Sequence, residues 1–367
     1  MNDPPASRLG AAKATLFSLL TLALILCAVE GGWRLVCLLG WTLPPSGDRS
    51  LDKEWEWVAP RLARGADEPL KKGPNQHDPE LGWMLWPGYR DADNTISASG
   101  HRGTTEWRKE RAPGKKRILF LGDSYTYGWE VKDNESYPAV LAERFLPDVE
   151  IINWGIPGYG TDQMLLLWEK HGVSYSPDVV VIGFYTRDIA RNQLRFYSFL
   201  KPCFTLEGDN LTLATGTIPS PTELYSDYVS GKRRIATEGL FLSAYFKRKL
   251  QEIERKDRGL SEMEWRVTEK ILDRLIAGIR EAGAVPFVLF IPDDEVLKRE
   301  GTDTEVIVSR LVAWAKRAKA DYLDLCPILR AKAKESPGPL YQGHWTALGH
   351  AAVAEALFHA LQARGIP

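Results

Sequence analysis

The chain is short of the features that mark several large protein classes. Its 47 basic and 48 acidic side chains cancel to a net charge of −1 over 367 residues. There is no basic excess to neutralise phosphates and no acidic tail, so no nucleic-acid partner is expected. The four cysteines, Cys27, Cys37, Cys203 and Cys326, form no CxxC pair, which argues against a zinc-finger type of site. A Cys203–Cys326 disulfide is an option in an oxidising compartment. Histidines and carboxylates do not cluster at ligand spacing, so no metal is expected. Asp293-Asp294-Glu295 fits helix capping instead. No internal repeat is visible, which sets solenoids aside.

Long apolar runs are present, at the N-terminus. Residues 14–29 are apolar without interruption, and residues 36–43 form a second run beyond Glu30 and Arg34. Extended through Gly31, Gly32 and Trp33, the first run approaches the roughly 20 residues that span a bilayer. Arg8 and Lys13 precede it, so the positive-inside bias places the N-terminus in the cytoplasm. The expectation is a single-pass inner-membrane anchor over 1–43, with the rest periplasmic or extracellular. A cleaved signal peptide is the rival, but no small-x-small site stands near Cys27. Residues 44–76, broken by Pro44, Pro45, Pro60, Pro69 and Pro74, read as a juxtamembrane linker.

From Lys116 onward strands and helices alternate. Apolar runs at 117–121, 149–152, 178–185, 285–291 and 322–325 read as buried strands. Helical spacing appears over 137–145, 161–171, 240–254, 261–282, 304–319 and 347–363, and 193–237 reads as an irregular insertion. The predicted fold is a three-layer α/β/α, flavodoxin-like domain over 77–367 with a parallel sheet.

In such sheets sites form outside the carboxyl ends of the strands. Four loops open there. The first carries Gly122-Asp-Ser124, the second Asn153-Trp-Gly-Ile-Pro-Gly-Tyr-Gly160. The third carries Thr186-Arg-Asp-Ile-Ala-Arg-Asn192 and the last Gly343-His-Trp-Thr346. Acyl transfer needs a nucleophile, a base, a group that orients the base, and donors for an oxyanion. Ser124 suits the first role and His344 the second. Among the other histidines, His171 ends a helix at the far edge, His350 and His359 lie within the closing helix, and His77 and His101 precede the first strand. Backbone N–H groups of Ser124 and Gly155 suit the oxyanion, with Asp123, Asn153 and Asp188 lining the site. Each block alone also reads as a capping turn or a glycine turn. A G-x-S-x-G elbow is absent because Thr126 takes the place of its second glycine, which argues against an α/β-hydrolase.

Gly122-Asp-Ser124, Gly155 and His344 together resemble the ordered blocks of the SGNH/GDSL hydrolases. Asp78-Pro-Glu-Leu-Gly-Trp83, Ser99-Gly-His-Arg-Gly103 and the loops at 153–163 and 343–350 resemble a bacterial, membrane-anchored branch. The resemblance covers about residues 77–365. It implies a serine esterase acting on an O-acyl ester, either acetyl on an envelope glycan or a lipid ester. It also implies a small-molecule, glycan or lipid partner and no cofactor. Two positions depart from the family pattern. Arg187 stands where an asparagine helps hold the oxyanion; its guanidinium is a candidate to hold it by charge, the alternative being a salt bridge, with Asn192 as a distant substitute. Gln342 and Tyr341 stand where an aspartate orients the histidine, so Gln342 is the candidate for that role. These departures leave two further readings open: a non-catalytic glycan- or protein-binding chain, and a polysaccharide O-acyltransferase.

Overall fold

A computed structural model describes residues 5–38, 48–64, 73–233, 260–298 and 300–366, with six isolated positions between 243 and 253. It divides into two units, Met1–Asp67 with Tyr225–Asp257, and Glu68–Leu224 with Arg258–Pro367. Of the helix expected over 240–254 only those six positions are described, all of them helical.

In the first unit, α1 (Pro5–Leu38) is continuous through the first apolar run and into the start of the second, whose residues 39–43 lie outside the described residues. Glu30 and Arg34, which separate those runs in sequence, lie one turn apart on the helix and pair at 2.8 Å. The apolar segment Ala12–Leu35 is long and apolar enough to cross a membrane by length and composition. At 1.5 Å per residue it covers about 36 Å, against roughly 30 Å of hydrocarbon. The stretch read as a linker contains α2 (Arg49–Arg64), which continues through Pro60. Asp48 caps it, accepting the Ser50 N–H at 2.7 Å.

The second unit begins with a hairpin, β1 (Asn75–Asp78) and β2 (Gly82–Leu85). The sheet strands β3 (Lys116–Gly122), β4 (Val149–Gly155) and β5 (Val179–Tyr185) follow. A second hairpin, β6 (Phe204–Glu207) and β7 (Asn210–Leu213), precedes β8 (Val285–Ile291) and β9 (Asp321–Asp324). A last short hairpin pairs β10 (Tyr341–Gln342) with β11 (His344–Trp345). Helices α3 (Ser124–Tyr127), α4 (Tyr137–Val140), α5 (Thr161–Lys170) and α6 (Asp188–Arg191) lie among these, and α7 (Pro221–Val229) contains the division after Leu224. They are followed by α8 (Glu262–Glu281), α9 (Glu295–Lys298), α10 (Asp303–Arg317), α11 (Leu325–Glu335) and α12 (Ala347–Gln362).

The sheet order is β4-β3-β5-β8-β9, with every neighbouring pair parallel. The expected parallel α/β/α architecture is therefore present. One face carries Ile118, Phe120, Val179, Val181, Phe287 and Leu289, packed in one core with Leu325, Leu329, Val353 and Leu357. The other face carries Leu119, Leu121, Val180, Ile182, Val288 and Phe290, all fully buried. Because both faces are covered, these strands read as unbroken apolar runs. Full burial of each such side chain stabilises the fold by roughly 1.5–3 kcal/mol. Capping boxes start the long covering helices, Ser261 with Glu264 for α8 and Thr302 with Glu305 for α10.

Several expectations needed correction. The insertion at 193–237 is not wholly irregular, since it holds β6, β7 and α7. Cys203 and Cys326 are separate buried thiols with no disulfide between them. The sequence reading also missed α11, which follows β9 directly and is capped by Asp324 through the Cys326 N–H at 2.8 Å.

The first sheet strand, β3, lies between the second and the third. From β3 the chain goes outward to β4 and then back across to β5, and this reversal point is where open α/β sheets place their sites. Ser124 follows β3 immediately.

Candidate active site

Strand β3 ends at Gly122, and α3 begins at Ser124 after a single residue. Asp123 caps that turn, its Oδ1 accepting the Tyr125 N–H at 2.9 Å. The glycine at 122 is required by packing. A Cβ there would stand 2.0 Å from Thr126 Oγ1. The sharp turn leaves Ser124 mostly buried, and its N–H has no acceptor among the described residues.

His344 arrives from the β10–β11 hairpin, whose apex is Gly343 at φ 85°. Its Nε2 lies 3.0 Å from Ser124 Oγ. The His344 ring packs against Tyr125 with centroids 5.1 Å apart, and Tyr125 contacts Trp345 at 4.8 Å. Trp345 is fully buried and anchors the hairpin. Burial raises the Tyr125 hydroxyl pKa and, with smaller charge effects, takes Tyr185 up to about 12, so both phenols stay neutral. Thr346 caps α12 by accepting the Gly349 N–H at 3.3 Å.

The other predicted residues behave differently. Gly155 N–H donates to Asn153 Oδ1 at 3.0 Å and is not an open oxyanion donor. The glycine serves packing. A Cβ at 155 would meet Tyr127 N at 2.2 Å, because α3 crosses directly over the end of β4. Three residues on, Gly158 has φ 86° and an N–H with no acceptor among the described residues. Asn153 does not line the site. Its Nδ2 donates to the Thr126 carbonyl at 2.9 Å, tying β4 to α3.

Asp123 and Asp188 are fully buried beneath the site. Arg191 stands between them, with Nη1 2.7 Å from Asp123 Oδ2, 3.1 Å from Asp188 Oδ1 and 3.0 Å from the Tyr159 carbonyl. Burial alone would disfavour the Arg191 charge, but the carboxylates Asp123 and Asp188 outweigh it and raise its pKa. Burial and the nearby Asp123 charge push the Asp188 carboxyl well up, against the pull of Arg191. This network braces the turn that presents Ser124.

Arg187 points largely to solvent and pairs with Asp293 at 3.5 Å. Asn192 cannot substitute for it. It is fully buried, its amide donating to Thr268 Oγ1 at 3.1 Å and its oxygen accepting the Asp162 N–H at 3.2 Å. Gln342 is exposed and makes no hydrogen bond to His344 among the described residues. The carboxylate nearest the ring belongs to Glu130, whose Oε2 lies 3.5 Å from His344 Nδ1. Sequence reasoning missed it because it sits six positions past Ser124, far along the chain from His344. Among the described residues no group of three or more potential metal ligands comes together.

The blocks flanking the first strand support the second loop. Trp83 Nε1 donates to the Pro157 carbonyl at 3.0 Å, Tyr159 Oη to the Trp83 carbonyl at 2.6 Å, and Gln163 Nε2 to the Leu81 carbonyl at 2.8 Å. The β1–β2 hairpin thus clamps the turn that carries Gly158. His101 and His350 take no part at Ser124. Burial, reinforced by the Arg117 charge, holds the His101 pKa down at about 3. Burial, with the charges of His344 and Arg102, does the same for His350, also to about 3.

No curated protein sequence matches the chain. Solved structures with similar folds include LAE5, an alpha/beta hydrolase enzyme from the metagenome of Lake Arreo, Spain. It is 16% identical, with a TM-score of 0.42, covering 70% of this chain and 98% of that one. A catalytic mutant of Axe2, an acetylxylan esterase from Geobacillus stearothermophilus, is 15% identical, with a TM-score of 0.40 and coverage of 69% and 96%. The lipase/acylhydrolase from Enterococcus faecalis is 16% identical, with a TM-score of 0.38 and coverage of 68% and 96%. The sequence model of the GDSL-like lipase/acylhydrolase family matches residues 120–352, well over half of the chain and the whole span from Ser124 to His344. The chain belongs to the GDSL-like lipase/acylhydrolase family.

Proposed function

We propose that the protein is a membrane-anchored serine esterase that hydrolyses an O-acyl ester through Ser124 and His344. The observation that carries this reading is the 3.0 Å approach of Ser124 Oγ to His344 Nε2 at the reversal point of the sheet. In the first half-reaction His344 Nε2 takes the Ser124 proton as Oγ attacks the ester carbonyl carbon. The tetrahedral oxyanion is held by the Ser124 N–H. The C–O bond to the leaving alcohol then breaks, and His344 returns the proton to the departing oxygen. Water repeats the sequence on the acyl-serine, releasing the carboxylic acid and restoring Ser124.

Helix α1 supports anchoring in the inner membrane, with Arg8 and Lys13 on the cytoplasmic side and the catalytic unit outside it. That placement gives access to acylated glycans or lipids of the envelope, and acetyl on a glycan is the substrate class proposed. The test is hydrolysis of p-nitrophenyl acetate by the full chain in detergent. Release of p-nitrophenol by the native protein, absent in Ser124→Ala, supports the reading. Equal rates in both proteins would refute it.

A further inference from the structure

We infer that Glu130 is the carboxylate that orients His344, in place of a residue beside the histidine in sequence. The inference rests on the Ser124–His344 reading and deepens it. His344 Nδ1 is buried and has no hydrogen-bond partner among the described residues, and Glu130 Oε2 is 3.5 Å away. Gln342, the residue in the expected position, is exposed to solvent.

The local chain is built to bring Glu130 there. The Ser124 carbonyl accepts both the Gly128 N–H at 3.1 Å and the Trp129 N–H at 2.9 Å, so α3 ends after one turn. Gly128 at φ 85° and Glu130 at φ 69° both adopt the left-handed conformation, which a non-glycine residue takes rarely. The reversed chain carries the Glu130 side chain over the apex of the β10–β11 hairpin. There Gly343 leaves it room, since a Cβ at 343 would stand 3.2 Å from Glu130 Oε2. Just beyond, the Val131 carbonyl accepts from Arg102 Nη2 at 2.9 Å, and Arg102 pairs with Asp133 at 2.9 Å. The loop is therefore fixed on both sides of Glu130.

The chemical consequence is a choice of tautomer. A carboxylate facing Nδ1 keeps the proton on Nδ1 and leaves Nε2 unprotonated, able to accept from Ser124. When Nε2 takes the Ser124 proton, the same carboxylate faces the imidazolium, and the pair closes from 3.5 Å to hydrogen-bond distance. Glu130 touches no reacting atom. It is a positioning residue.

The test uses full-length protein in detergent, labelled with ¹⁵N-histidine, as native chain and as Glu130→Gln. The ¹⁵N shifts of His344 at neutral pH are expected to show Nδ1 protonated in the native protein and a mixture of tautomers in the variant. The His101 and His350 signals, unchanged, establish that the variant is folded. The value of kcat for p-nitrophenyl acetate should fall by about 100-fold, less than the roughly 10⁴-fold for a buried triad carboxylate because Glu130 is half exposed. Identical His344 shifts in the two proteins would overturn the inference. Failure of the hydrolase reading is read separately, as no Ser124-dependent turnover by the native chain, and the histidine shifts decide the Glu130 contact in either case.

Discussion

Ser124 Oγ and His344 Nε2 stand 3.0 Å apart across 220 positions of sequence. Two independent anchors hold them there. Ser124 is fixed by the β3–α3 turn and the Asp123–Arg191 pair beneath it. His344 is fixed by Trp345, which packs on Tyr125 and Tyr137. The same aromatic contacts couple the two loops, so the pair is set by the fold and not by local sequence.

Replacing His344 by alanine removes the proposed base while leaving Trp345 in place. The value of kcat is expected to fall by about 10⁴-fold or more, with little change in KM, as for a group acting in the transition state. Steady-state kinetics on p-nitrophenyl acetate measure both. A large rise in KM with kcat intact would assign His344 to binding instead.

Gly155→Ala separates packing from catalysis at that glycine. The added Cβ meets the backbone of Tyr127 at 2.2 Å, and backbone cannot yield cheaply. A loss of roughly 1–3 kcal/mol is expected, lowering Tm by about 5 °C. An unchanged Tm with activity lost would return Gly155 to the oxyanion role.

Arg191→Met leaves Asp123 and Asp188 buried with no cation between them. Breaking a buried network of this kind costs about 3–5 kcal/mol. Urea unfolding of the variant should show a lower midpoint at an unchanged slope. Equal midpoints would mean that the network does not brace the turn.

Acid should destabilise the protein through two histidines outside the site. The pKa values of His101 and His350 are lowered from 6.5 to about 3 in the folded state, by burial first and by neighbouring positive charge second. Their contribution is fully present above pH 6.5, where folded and unfolded chains both carry neutral rings. As pH falls toward 3 the unfolded chain takes up protons that the folded chain does not, and stability is lost. Each ring contributes a slope of about 1.4 kcal/mol per pH unit. Tm measured from pH 7 to 4 should fall across this range, and less steeply in His350→Gln. A Tm independent of pH would contradict the burial of both rings.

The sheet was legible because it is buried on both faces. Runs such as Val179-Val-Val-Ile182 have no competing helical reading once turns bound them, and β8 matches its expected limits of 285–291. The positions of Ser124 and His344 followed from the loop order. The reach of individual side chains did not. Gly155 reads as an oxyanion glycine until α3 is seen to cross β4, and Asp188 reads as site-lining until Arg191 is seen beneath it. Gln342 stands two positions before His344 in sequence, yet its side chain is exposed. Glu130 reaches the ring only because two successive left-handed turns redirect the chain after α3, and a glutamate at positive φ carries no sequence signal. The expected linker shows a similar limit, since Pro60 stands inside α2 and not at its end.

The central claim, that Ser124 is an activated nucleophile, is tested most directly by labelling with a fluorophosphonate and measuring intact mass. The native full-length chain should gain a single adduct, mapped to the peptide containing Ser124. Ser124→Ala should gain none, and His344→Ala should react far more slowly. A folded native protein that takes up no label, or a Ser124→Ala variant labelled as fast as the native chain, would contradict the account.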